Sequence, residues 1–204
     1  MLTTSSAIIQ HITKLRDARR ATLAYFYFDF RDEQKQNMRN AVTSLLIQLS
    51  AYSKLCCDLI YRLYSSHGKG TQQPSNATLI DHLKEMLTVT AQQPIFIVMD
   101  ALDECPDDGT PTPREGVLNL LKVLVSLRLQ NLHICVTSRP EVDIQIMLKP
   151  LAVNAISLHE QTRQRIVIAN YVSSVVYSDE RMKKWRDEDK RLVIEQLSER
   201  AEGM

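Results

Sequence analysis

Pro94-Ile95-Phe96-Ile97-Val98-Met99-Asp100-Ala101-Leu102-Asp103-Glu104-Cys105 is the stretch on which the fold turns. Ile95 to Met99 is apolar at every position. It lacks the alternation of a half-exposed strand and predicts a strand buried on both faces. Such strands belong to parallel sheets covered by helices. The run ends abruptly at Asp100, and Asp103 and Glu104 follow at once. In open α/β sheets, ligands sit beyond the carboxyl ends of the strands. A carboxylate fixed there suits a hard cation such as Mg²⁺ carried on phosphates. A plain core strand with an acidic loop after it fits the same residues, so on this stretch alone both readings stand.

Outward from this strand, the chain alternates strand and helix. Before it, Thr22 to Phe30 is β-branched and aromatic and predicts a strand. Its rings read as core, because no basic residues are interleaved to make a stacking platform for nucleic-acid bases. Helices are expected over Met1–Arg19, Met38–Ser50, Lys54–Ser65 and, capped by Asn76 or Thr78, on to Thr90. Between the last two, His67-Gly68-Lys69-Gly70 lacks phosphate-loop spacing and reads as a turn. After the acidic stretch, Pro113 opens a helix to about Leu129. Leu132-His133-Ile134-Cys135-Val136 is a further short strand, ending in Thr137-Ser138-Arg139-Pro140. Arg139 therefore stands at the same sheet edge as Asp100, where a guanidinium suits either a phosphate or an ion pair with a nearby acid. A helix opened by Pro140 and running to about Leu148, a last strand over Ala155–Leu158 and helices over Gln161–Val176 and Arg181–Arg200 complete the expectation. Tyr171, Val172, Val175 and Val176 are read as the apolar face of the first of these helices, with Trp185, Leu192, Val193 and Leu197 on the second.

Composition removes several function classes. The chain has 204 residues, 44% of them apolar and 24% charged, with a formal net charge of +1. A balance so near zero gives no bulk attraction to nucleic acid or to an anionic membrane. The four cysteines have no C-x-x-C spacing and lie mostly in apolar surroundings, which predicts free buried thiols in a reducing compartment, the cytoplasm. No apolar run approaches membrane-spanning length, and the first residues lack the pattern of a signal peptide.

Three segments occur in the order seen in one family: Ala24-Tyr25-Phe26-Tyr27-Phe28-Asp29-Phe30, then Val98-Met99-Asp100-Ala101-Leu102-Asp103-Glu104-Cys105, then Val136-Thr137-Ser138-Arg139-Pro140-Glu141. Together they resemble the NACHT-type P-loop NTPase domain of the STAND signalling proteins, in particular its fungal, nephrocystin-like N-terminal version. The resemblance implies an α/β fold, a parallel sheet flanked by helices, over residues 1–150, with a last strand and the start of a helical extension over 151–204. It implies that Asp100, in the Walker B position, helps hold Mg²⁺. Asp103 and Glu104 are expected to orient an attacking water, and Arg139 to sense the terminal phosphate of ATP or GTP. It implies protein partners engaged through further domains, and self-association.

One defining motif of that family is missing: no G-x-x-x-x-G-K-[ST] occurs anywhere in the chain. Met1-Leu2-Thr3-Thr4-Ser5-Ser6 resembles the helix that follows that motif in relatives. The expectation is therefore a truncated or degenerate form, without its first strand and phosphate loop, that binds nucleotide weakly or not at all. The strand that is lost is expected to lie between those ending at Asp100 and Thr137, leaving two edges that must pair with each other, be covered, or become an aggregation site. Three readings follow: a nucleotide-dependent switch, a non-catalytic interaction domain that keeps the fold, or an unrelated α/β enzyme.

Overall fold

A computed structural model describes residues 4–90, 93–157 and 162–200. The apolar run forms the middle strand of a three-stranded parallel sheet. β1 (Thr22–Tyr27), β2 (Ile95–Asp100) and β3 (Leu132–Val136) lie in the order β1-β2-β3. β2 pairs from Thr22↔Ile95 to Tyr27↔Asp100 on one side and from Ile95↔Leu132 to Met99↔Val136 on the other. Among the described residues no strand lies between β2 and β3, and of the ways to satisfy the two edges the chain takes direct pairing. The two apolar strands satisfy each other directly.

The period of two along the strands divides the core. Ala24, Phe26 and Phe28 share one face with Ile95, Ile97, Met99 and the half-buried Ile134 and Val136. That face packs on α2 (Met38–Ser50), α4 (Asn76–Val89) and α5 (Pro113–Ser126) through Leu45, Leu49, Leu83, Met86, Leu121 and Leu124, with α3 (Lys54–Ser66) behind them. The opposite face carries Leu23, Phe96 and Val98 against Ile9 and Ile12 of α1 (Thr4–Asp17). β2 is apolar from Ile95 to Met99, as a strand with a helix layer on each side requires. The unit ends with α6 (Val142–Leu148).

Side-chain caps set the helix starts. Asn37, Ser53, Ser75 and Thr112 each accept a hydrogen bond from the backbone N–H three residues on, satisfying an orphan donor of the first turn. α4 is thus capped by Ser75, one residue before the expected Asn76. β1 stops at Tyr27, short of the expected Phe30, because its partner β2 ends at Asp100. The last link is Phe28 N–H to Asp100 O at 3.0 Å.

In a parallel strand, alternate residues turn their backbone groups to opposite neighbours. Those of Leu23 and Tyr25 turn away from β2, and side chains satisfy them. Gln48 of α2 accepts the Tyr25 N–H at 3.0 Å and donates to the Tyr25 carbonyl at 2.7 Å. Tyr52 donates its hydroxyl to the Leu23 carbonyl at 3.0 Å. One glutamine does for this edge what another strand would do.

The chain divides into two compact units, Met1–Ala152 and Val153–Met204. The second holds α7 (Thr162–Ser178), a 3₁₀ turn over Glu180–Met182 and α8 (Asp187–Arg200). Residues 155–157 form no strand, and Leu158 lies outside the described residues. Ile156 is 73% exposed. Of the face expected on α7, Val176 is buried while Tyr171 and Val175 are exposed, as are Trp185, Leu192 and Leu197. α8 begins at Asp187, later than the expected Arg181, because residues 180–182 take the 3₁₀ turn. No helix among the described residues is long and apolar enough to cross a membrane.

Gln48→Ala leaves both edge groups of Tyr25 without partners. It is expected to lower the unfolding free energy by about 1–3 kcal/mol in urea denaturation. A change within error of wild type would mean that water replaces the glutamine at no cost.

Candidate functional site

The site is built where β2 and β3 end together. Thr137 N–H donates to the Met99 carbonyl at 3.0 Å, and Leu102 N–H donates to the Thr137 carbonyl at 3.0 Å. Between these bonds the Thr137 hydroxyl accepts the Ala101 N–H at 3.1 Å and donates to Asp100 Oδ1. A residue on β3's end thereby orients the carboxylate on β2's end. Ala101 takes a left-handed conformation, φ 55° and ψ 48°. That costs a non-glycine residue about 1–2 kcal/mol and turns the chain sharply into a 3₁₀ turn over Leu102–Glu104. Leu102 is fully buried and anchors the turn; Asp103 and Glu104 flank the cleft that it forms.

Arg139 meets Asp103 there. Its backbone N–H donates to Asp103 Oδ1 at 3.0 Å, and its Nε lies 3.4 Å from Oδ2. The Asp103 side chain is only 11% exposed, the Arg139 side chain 77%. Glu104 Oε2 accepts the Phe30 N–H at 3.3 Å, which ties the acid turn to the loop after β1. Asp103, Glu104 and Arg139 line one cleft of about 410 Å³ with Phe30, Asp107, Asp108 and Glu141. Asp100 stands on the same rim but does not line that cleft; its carboxylate is held by Thr137.

Two residues that the sequence reading did not single out organise this geometry. Thr137 is the first, as described. The second is Arg114, in the first turn of α5, whose side chain is 7% exposed. Its Nε donates to the Cys105 carbonyl and its Nη2 to the Asp103 carbonyl, both at 2.8 Å. Its Nη1 lies 3.3 Å from an Asp143 carboxylate oxygen on α6 and 3.4 Å from one of Asp107. A cation in the first turn of a helix opposes the helix dipole, and that misplaced charge was the available signal. α6 itself starts at Val142, not at Pro140, because the Arg139 backbone is drawn to Asp103.

The electrostatics follow the burial. Burial raises the Tyr27 hydroxyl and the Cys135 thiol above their ordinary values, and the negative charge of Asp100 adds to both. The charge of Asp100 is thus felt across all three strands. Among the described residues no three His, Cys, Asp or Glu side chains form a group able to hold a metal ion.

Cys105 closes the acid turn. Its thiol lies 3.1 Å from the Gln36 carbonyl as donor, and burial pushes it from 9.0 up to about 12. In the unfolded chain the thiol ionises near its ordinary value, so above that pH unfolding releases a proton and rising pH favours it. Stability is expected to fall as pH rises from 9.0 towards about 12. Cys105→Ala should flatten that fall in urea denaturation, and an unchanged slope would remove Cys105 as its source. In the folded protein exposed Cys57 should react with a thiol reagent well before buried Cys105.

The geometry can be set beside known proteins. None of the curated proteins and none of the solved structures compared with the chain matches it. One family does, described as Nephrocystin 3, N-terminal, over residues 3–139. The matched segment spans β1, β2, the acid turn and β3, and its last residue is Arg139. It covers well over half of the chain, and the protein belongs to the nephrocystin 3 N-terminal family.

Proposed function

We propose that the first unit is a nucleotide-dependent switch module of the NACHT type in a STAND signalling protein, with the cleft as the terminal-phosphate side of its site. The observation that carries this reading is the meeting of Asp103 and Arg139. They lie thirty-six residues apart and on different strand ends, yet their contact lies at the carboxyl edge of a parallel sheet. Phosphoryl transfer depends mainly on placing charge around the phosphate. Asp100 would hold the hydrated cation, Asp103 and Glu104 would orient a water, and Arg139 would read the terminal phosphate of ATP or GTP. Bound Mg²⁺ supplies the positive charge that neutralises phosphate oxygens. Protein partners and self-association are the proposed outputs, in a reducing cytoplasm that the free cysteines support.

The second reading is a non-catalytic interaction domain that retains this fold. It is favoured by how fully the protein satisfies its own site: Asp100 by Thr137, Asp103 by Arg139, Glu104 by the Phe30 N–H. No G-x-x-x-x-G-K-[ST] occurs in the 204 residues, so the backbone cradle and lysine that grip a triphosphate are not among them.

Amide NMR during titration with ATP and Mg²⁺ separates the two. The switch reading predicts binding weaker than micromolar, with shifts centred on Ala101–Cys105 and Arg139 and lost in Arg139→Ala. Shifts confined elsewhere, or unchanged by Arg139→Ala, would overturn it. No response at saturating ligand would leave the interaction domain.

A further inference from the structure

Asp103 and Arg139 neutralise each other at the cleft, but they are held unequally. The acid is fixed: its carboxylate is nearly buried, it accepts the Arg139 backbone N–H, and its carbonyl is held by buried Arg114. The Arg139 guanidinium is held loosely: its side chain is 77% exposed, and its described ion pair is a single 3.4 Å approach of Nε to Asp103 Oδ2. A guanidinium on a long flexible stem can swing without disturbing the backbone.

Consider what can open this pair. An anion alone that takes Arg139 strands the Asp103 charge and faces the carboxylates of Glu104, Asp107, Asp108 and Glu141 on the same lining. A divalent cation alone that takes Asp103 is repelled by Arg139. A cation and a phosphate together divide the pair, and each released charge finds an opposite one. An exposed ion pair shifts an equilibrium by no more than roughly fivefold, so such a ligand can open it. We propose that the Asp103–Arg139 pair is a charge-quenching latch: it weakens the hold of the cleft on free phosphate anions and on free divalent cations and favours the two together. The inference rests on reading the cleft as a phosphate site. It adds how that site rejects the wrong ligand.

The test is amide NMR with Mg²⁺ alone and pyrophosphate alone as probes, on wild type, Asp103→Asn and Arg139→Gln. Retained shift dispersion confirms that each variant is folded. The latch predicts gains: Asp103→Asn binds pyrophosphate about two- to fivefold more tightly than wild type, and Arg139→Gln binds Mg²⁺ more tightly by a similar factor. Loss of cleft charge alone predicts that Asp108→Asn, on the same lining, gains pyrophosphate affinity as much as Asp103→Asn does, and that equality would also overturn the latch. A loss, or no change, in Asp103→Asn overturns the latch. Should Asp103→Asn gain pyrophosphate while ATP with Mg²⁺ leaves the wild-type cleft untouched, the latch stands and the nucleotide reading falls. Should ATP with Mg²⁺ shift the cleft amides while Asp103→Asn gains nothing, the nucleotide reading stands and the latch falls.

Discussion

A single guanidinium, buried where α5 begins, holds the acid turn in place. Arg114 sits where its charge opposes the helix dipole, out of water, in a position with nothing to recommend it except its partners. Those partners are the carbonyls of Asp103 and Cys105 and the carboxylates of Asp107 and Asp143. A buried charge is tolerated when its donors are matched in this way, and removing one side leaves the other stranded. The arginine thereby joins the acid turn, α5 and α6. Asp103 closes the circuit, since its carboxylate takes the Arg139 N–H two residues before the N-cap of α6. The groups that face the cleft are positioned by a residue beneath it.

Strain and hydrogen bonding work together at this point. Ala101 adopts a left-handed turn that alanine disfavours. Its N–H is received by Thr137 Oγ1, and the next N–H, of Leu102, by the Thr137 carbonyl. One threonine on β3 so supports both the turn and the carboxylate of Asp100. The sheet edges contrast with this care. β1 is sealed by Gln48 and Tyr52, whereas among the described residues β3 pairs with β2 alone.

Much of this was legible in the sequence, for physical reasons. A run without alternation from Ile95 to Met99 requires cover on both faces, and it has α1 on one side and α2, α4 and α5 on the other. Pro113 announced the start of α5, as a proline that needs no N–H, and the structure adds the Thr112 cap before it. The common edge of Asp103 and Arg139 followed from two parallel strands ending in polar residues. Strand order was not legible, because hydrophobic period says which face is buried and nothing about which strand is the neighbour. Gln48 and Thr137 were hidden for another reason: their partners lie far along the chain and leave no mark in local pattern, whereas Arg114 showed only as a cation misplaced in the first turn of a helix. The apolar stripe expected on α7 failed because the second unit buries little of it.

The account depends most on the claim that Arg114 fixes the acid turn. Urea denaturation of Arg114→Met, followed through the amide signals of Asp103 and Arg139, tests it directly. The account predicts a loss of about 3 kcal/mol, with collapse of the Asp103–Arg139 contact before global unfolding. A loss below about 0.5 kcal/mol, the range of ordinary surface substitutions, with both amide signals unmoved, would contradict it.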